Sequence, residues 1–349
     1  MSRVVILGAG VMGTAISAPF ADRGFAVDLI GTHLDRDWVA AMQTGRVHPR
    51  LKADIAASVR PLQVEALAET LTDPPDLVVV GVSTPGIGWA AKQLAGTMRG
   101  RPPVVLLTKG IAETPERIEA LPSLVARTFA ARGIAHGPIG GIGGPCIAGE
   151  LAVRRQTSAI VGFPEMALAR GWAARLSTPY YQLRPTDDLT GLELCAALKN
   201  FYAIGVSVPA GRLARDTAAN GAGLHNEVAS LFNQAVTEMA RILAVSGGRA
   251  ETAFGLAGLG DLHVTTQAGR NSRLGRLMGE GLSFAGAIAG PLKGETVEGS
   301  LVAALLRAPL AALGQSGTLS TDAVPLANAI VAAVAGGRPI RPDVALYHL

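Results

Sequence analysis

Arg3-Val4-Val5-Ile6-Leu7-Gly8-Ala9-Gly10-Val11-Met12-Gly13 is the stretch that decides the fold. Its first five residues form a short, continuous, β-branched run, the pattern of a strand buried on both faces of a parallel sheet. Three glycines at the spacing Gly8-x-Gly10-x-x-Gly13 follow at once, and Thr14 to Asp22 then reads as a helix closed by Gly24. In a strand-turn-helix of this kind the first glycine makes the tight turn. The second lets the backbone approach a pyrophosphate, and the third lets helix and strand pack closely. The helix N-terminus adds free N–H groups and partial positive charge. Gly8, Gly10, Val11, Met12 and Gly13 are therefore the candidate dinucleotide-binding residues.

Working outward, Phe25 to Ile30 reads as a second strand and completes a βαβ unit. Further strands are predicted at Leu77 to Val82, Pro103 to Leu107, Ala159 to Gly162 and Tyr180 to Leu183, with helical segments between the earlier ones. Alternation of this kind predicts a doubly wound parallel sheet, a Rossmann domain. Beyond about Asp187 the strand signals stop, and Ala- and Leu-rich segments of helical spacing take over. The expected fold class is α/β plus all-α. A nucleotide-binding domain is assigned to residues 1–185 and a helical domain, carrying substrate binding and catalysis, to 186–349.

Bulk composition agrees with two domains, since 349 residues exceed one comfortable core. No apolar stretch reaches the roughly 18 residues of a membrane span, and the N-terminus lacks the pattern of a secretory signal. A cytoplasmic location is the expectation. Two cysteines, Cys146 and Cys195, make no disulfide framework and no metal-ligand spacing, so no metal is predicted. The net charge of +4 is spread along the chain and aromatic residues are scarce, which argues against a nucleic-acid surface. A mild excess of cations suits a small anionic substrate.

The choice of dinucleotide stays open. An acid at the end of the second strand usually holds the ribose 2'-hydroxyl, whereas this strand ends in Gly31-Thr32-His33. Asp28 lies too early and Asp35 rather late, while His33 and Arg36 suit a 2'-phosphate. Both NAD and NADP fit.

Two lysines stand out in an arginine-rich chain. Lys109 follows the strand ending at Leu107, at the edge where open α/β sheets place their ligands. Lys199 sits on the apolar helix Leu192 to Ile204, beside Cys195, Ala196, Ala197 and Leu198. A lone lysine on a helix is usually a solvated surface residue. These neighbours instead predict a partly buried amine, and burial or a nearby cation would favour its neutral form.

The ordered set of motifs is specific. Gly8-Ala9-Gly10-Val11-Met12-Gly13-Thr14-Ala15, Thr108-Lys109-Gly110, Gly144-Pro145-Cys146-Ile147-Ala148-Gly149-Glu150 and Gly191-Leu192-Glu193 are followed by Ala197-Leu198-Lys199-Asn200. Gly255 to Leu262, Gly269-Arg270-Asn271-Ser272-Arg273 and Val297-Glu298-Gly299 complete it. Over nearly its whole length the chain resembles the bacterial NAD(P)-dependent glycerol-3-phosphate dehydrogenases. The resemblance implies reversible reduction of dihydroxyacetone phosphate to sn-glycerol 3-phosphate, a phospholipid precursor, with Lys199 as catalytic acid. It implies that Asp261 supports Lys199 and that Lys109 helps bind substrate and close the site. Arg270 and Asn271 would grip the phosphate with Thr265 nearby, and Gly144, Cys146, Asn200 and Gly269 would complete the substrate site. Ala148, Arg270 and Glu298 would touch the dinucleotide. A guanidinium suits a phosphate because its planar fork holds two oxygens at once. The resemblance is also compatible with a homodimer.

The chain departs from the family at Cys146-Ile147, where Ser-Phe is common, in the run Gly140 to Gly144, and at Val82-Ser83-Thr84. These departures leave open a larger ketose phosphate as substrate. A related hydroxyacid dehydrogenase would want a carboxylate site in place of the Asp261 to Asn271 constellation. A non-catalytic NAD(P)-binding sensor is expected to have lost a lysine or the phosphate grip, and Lys109, Lys199, Asp261, Arg270 and Asn271 are all present.

Overall fold

Strand β1 (Arg3–Leu7) has Val4 and Ile6 in one apolar cluster and Val5 and Leu7 in another, so both faces of the sheet are covered. That two-sided burial is why the run carries no polar alternation. The computed structural model describes residues 2–215 and 221–340. Seven more strands join β1: β2 (Ala26–Ile30), β3 (Val59–Leu62), β4 (Leu77–Val80), β5 (Val104–Leu106), β6 (Ile139–Gly143), β7 (Thr157–Gly162) and β8 (Tyr181–Thr186). Their spatial order is β8-β7-β6-β5-β4-β1-β2-β3. The last six of these positions are the doubly wound 3-2-1-4-5-6 order read in reverse.

All neighbours pair in parallel except β6 with β7, which is antiparallel. Between β6 and β7 the chain carries the short helix Ala148–Ala152 and then runs back antiparallel to β6.

Two strands escape the sequence pattern. β3, Val-Arg-Pro-Leu, pairs only with β2 at the sheet edge, the one place where Pro61 forfeits no ladder bond. β6 is Ile-Gly-Gly-Ile-Gly, and at Gly140 the reason is crowding: a Cβ there would lie 2.4 Å from the Gly162 carbonyl oxygen and 2.6 Å from the Phe163 ring.

By contact, the chain divides into two units. The first is Met1–Lys109 with Leu121–Leu192 and holds the sheet. The second is Gly110–Ala120 with Glu193–Leu349. It contains the hairpin Ile111–Ala112 with Glu119–Ala120 and otherwise helices, among them His225–Val245, Asp261–Gln267, Arg270–Gly279, Glu298–Gln315 and Pro325–Gly336. The helix Leu189–Val206 carries Lys199 and is buried without a break from Gly191 to its end. Apart from Glu193, Lys199 and Asn200 that buried stretch is almost wholly apolar, as in a central helix.

Small residues let neighbours approach that helix. A Cβ on Gly275 would meet the Ile204 carbonyl at 2.1 Å, so the helix Arg270–Gly279 lies directly on the Lys199 helix. No helix among the described residues is long and apolar enough to cross a membrane.

Candidate active site

In the first unit the glycine turn sits at the carboxyl end of β1. Gly8 has φ +114°, and a Cβ there would lie 2.7 Å from the carbonyl carbon of Gly81, just beyond β4. A Cβ on Gly13 would lie 2.0 Å from the Gly8 carbonyl oxygen, so strand and helix touch. Gly10, the N-cap of the helix Val11–Asp22, differs from both: a Cβ there meets nothing within 4 Å. Two glycines are thus demanded by packing and one leaves a cradle. The helix begins at Val11 and Met12 with no acidic residue in its first turn. A cradle that a side chain would fill, beside open helix N–H groups, fits a dinucleotide pyrophosphate.

Lys109, Gly144, Cys146 and Ala148 follow β5 and β6 at the same edge of the sheet. Lys109 Nζ donates to the Gly144 carbonyl at 3.4 Å. The segment around it is pinned, since the Thr108 hydroxyl donates to the Val82 carbonyl at 2.7 Å and the Thr84 hydroxyl to the Lys109 carbonyl at 2.9 Å. Val82-Ser83-Thr84 therefore braces the Lys109 segment. Gly144 has φ +102°. Cys146 is half-buried against the core below it, and Ile147 is 42% exposed.

In the second unit Lys199 Nζ lies 2.9 Å from Asp261 Oδ1 and donates to the Thr265 hydroxyl at 2.7 Å. Thr265 in turn donates to the Asp261 carbonyl at 2.7 Å, one turn back on the same helix. Both charged side chains are nearly buried, at 9% and 2% exposure. The amine is buried, as its apolar neighbours predict, and the charge it meets is the carboxylate of Asp261, not a cation. An adjacent carboxylate favours the ammonium, against the burial that disfavours it. The ammonium is the form that can donate a proton.

A second chain of bonds runs alongside. Asn271 Nδ2 donates to Asn200 Oδ1 at 2.9 Å, Asn200 Nδ2 donates to Glu298 Oε2 at 3.1 Å, and Asn271 Oδ1 accepts the Gly299 N–H at 2.8 Å. Arg270 extends from the start of its helix after Gly269, which has φ +114°, and its guanidinium stands 4.0 Å from Glu298 Oε1 with 40% of the side chain exposed. Lys199, Asn200, Asp261, Thr265, Gly269, Arg270, Asn271 and Glu298 therefore form one cluster. Gly299 belongs with them although nothing in its chemistry marks it: a Cβ there would lie 2.3 Å from the Asn200 carbonyl oxygen and 2.9 Å from Asn271 Oδ1.

Against known proteins, residues 3–169 match the model described as the NAD-dependent glycerol-3-phosphate dehydrogenase N-terminus, and residues 188–344 match the corresponding C-terminus. The chain belongs to the NAD-dependent glycerol-3-phosphate dehydrogenase family. An NADP(+)-dependent glycerol-3-phosphate dehydrogenase of Archaeoglobus fulgidus is 34% identical, over 80% of this chain and 81% of its own. A glycerol-3-phosphate dehydrogenase [NAD(P)+] of Rhizobium etli is 30% identical over 92% and 91%. The crystal structure of a glycerol-3-phosphate dehydrogenase from Coxiella burnetii superposes with a TM-score of 0.80 at 25% identity, covering 97% of this chain and 96% of that one.

The two acids nearest the end of β2, Asp28 and Asp35, have other partners. Asp28 receives Arg3 at 3.1 Å and Arg60 at 2.8 Å. Asp35 is buried and accepts the Thr32 N–H and hydroxyl at 2.8 and 2.9 Å. His33 and Arg36 are exposed, and Arg36 pairs with Glu65.

Proposed function

We propose that this family member reduces dihydroxyacetone phosphate reversibly to sn-glycerol 3-phosphate and so supplies a glycerophospholipid precursor. It is an NAD(P)-dependent oxidoreductase, and the bound nicotinamide supplies the hydride for the substrate carbonyl carbon. Lys199 supplies the proton. As negative charge develops on the carbonyl oxygen, its ammonium stabilises that charge and then transfers a proton to it; in the reverse direction the amine takes the proton back. Ketone, reduced coenzyme and one proton thus yield alcohol and oxidised coenzyme.

Asp261 holds Lys199 as an ammonium, and Thr265 fixes its direction. Arg270 and Asn271 take the phosphate, with Asn200 orienting Asn271. Lys109 and Gly144 bind the remainder of the substrate, and Cys146, in place of the family's usual serine, offers a weaker hydrogen-bonding group there. Gly8, Gly10, Val11, Met12, Gly13 and Ala148 hold the coenzyme, joined by Arg270 and Glu298. The observation that carries the reading is the buried Lys199–Asp261 pair at 2.9 Å beside the Asn200–Asn271 link. A structural ion pair needs no phosphate grip next to it.

The test is coenzyme absorbance with NADH and NADPH against dihydroxyacetone phosphate, longer ketose phosphates and 2-oxo acids. Turnover of dihydroxyacetone phosphate is expected. Arg270→Ala should raise its KM by about tenfold to hundredfold, the worth of a hydrogen bond to a charged group. Turnover confined to 2-oxo acids, or an unchanged KM in Arg270→Ala, overturns the assignment.

A further inference from the structure

Ala9, inside the glycine turn, is held by side chains at both its N–H and its carbonyl. Its N–H donates to Asp35 Oδ2 at 3.3 Å. Its carbonyl accepts from the Thr14 hydroxyl at 3.3 Å and lies 3.3 Å from His48 Nε2. His48 comes from the small hairpin Val47–His48 with Ala53–Asp54, is fully buried, and lies with its ring 5.1 Å from that of Trp38.

The state of that ring follows from its other nitrogen. His48 Nδ1 faces the backbone N–H groups of Arg50 and Leu51 at 3.2 and 3.1 Å. Two donors there require a lone pair, so the proton sits on Nε2 and points at the Ala9 carbonyl. Burial lowers the imidazole pKa and supports the neutral ring. Asp35 is equally constrained, because the same Oδ2 that receives Ala9 also receives Thr32.

We propose that His48 and Asp35 are positioning residues for the coenzyme, clamping the two peptide groups that flank Ala9 so that the turn is already formed when a pyrophosphate arrives. The inference rests on the dinucleotide reading of that turn. A turn ordered beforehand leaves less entropy to be lost on binding. The clamp also turns Asp35 toward the loop and away from the role of ribose acid, leaving His33, Arg36 and Asp37 exposed after β2. That disposition admits a coenzyme with a 2'-phosphate as well as one without.

The experiment uses the full chain and titrates NADH and NADPH by coenzyme fluorescence, with steady-state kinetics alongside. His48→Phe keeps the ring against Trp38 and removes the donor; Asp35→Ala removes the acceptor. Each is expected to raise coenzyme Kd and KM about tenfold, with kcat at saturating coenzyme within about twofold of wild type. His48→Gln restores an N–H donor and should recover most of the affinity. Should His48→Phe fail to fold, Asp35→Ala and His48→Gln decide the matter on the same measurements. Unchanged coenzyme Kd in the folded variants, or a fall in kcat with KM unmoved, overturns the clamp. Failure of the wild-type chain to bind either coenzyme overturns the dinucleotide reading beneath it instead.

Discussion

The Lys199 cluster and the glycine turn are built by opposite means. Around Lys199 the work is done by side chains that must be present: an ammonium, a carboxylate, a hydroxyl and two amides, joined by bonds of 2.7 to 3.1 Å. At Gly8, Gly10 and Gly13 it is done by side chains that must be absent. The first region should therefore fail by deletion and the second by addition. Gly299 lies on the border, an absent side chain that lets Asn200 and Asn271 meet.

The largest effect is expected from deletion at Lys199. Lys199→Met should lower kcat by about a thousandfold, the range of a lost general acid. It also leaves Asp261 buried without its cation, which costs about 3–5 kcal/mol of stability. Adding Asp261→Leu should recover much of that stability and none of the turnover. Near-wild-type kcat in Lys199→Met would break the comparison at its stronger end.

Addition at the glycines comes next and separates packing from binding. Gly13→Ala must displace the Gly8 carbonyl, so both thermal stability and coenzyme affinity should fall, the affinity by about tenfold or more. Gly10→Ala has room and an ordinary φ of −71°. It should leave Tm unchanged while coenzyme Kd rises by a similar factor. An unchanged coenzyme Kd in Gly10→Ala would show that the cradle has no special role, and a Tm lowered as far as in Gly13→Ala would show that Gly10 too is there for packing.

The smallest effect probes the support behind the Lys199 helix. Glu238, fully buried, accepts from Gln234 at 2.8 Å, from the Tyr202 hydroxyl at 3.1 Å, and from the Leu326 and Ala327 N–H groups at 2.7 and 2.8 Å. It caps the helix Pro325–Gly336 and is tied to the turn after Lys199. Burial pushes its pKa up to about 7 from an ordinary 4.5, with those donors pulling the other way. Between these values the folded chain holds a proton that the unfolded chain has released, so stability falls as pH rises through the window and levels off above it. Tm should decline by a few °C from pH 4.5 to about 7. Glu238→Gln should flatten the profile; an unaltered slope would remove Glu238 as its cause.

Much of this was legible in the residues. β1, β4 and β5 announce themselves because strands buried on both faces are uninterrupted apolar runs, β2 does so despite its one acid at Asp28, and the glycine spacing names its own turn. Edge strand β3 and glycine-rich β6 do not, because their sequences answer to an edge and to a close approach that exist only once the sheet is formed. Lys199, Asp261, Arg270 and Asn271 are legible only through family motifs, since a lysine and an aspartate 62 positions apart carry no local signal of pairing. By position in the sequence Asp35 reads as a ribose acid and His48 carries no signal; only the folded loop shows both turned onto Ala9.

By itself, the sequence determined the periodicities: where strands give way to helices, where three glycines interrupt a strand and a helix, and which reactive residue types are available. Tertiary structure alone decided which of those residues meet. Hydrogen bonds and ion pairs depend on separations of about 3 Å, and the buried Lys199–Asp261 pair, the amide link of Asn200 to Asn271 and the grip on Ala9 all come from chain segments that only folding brings that close.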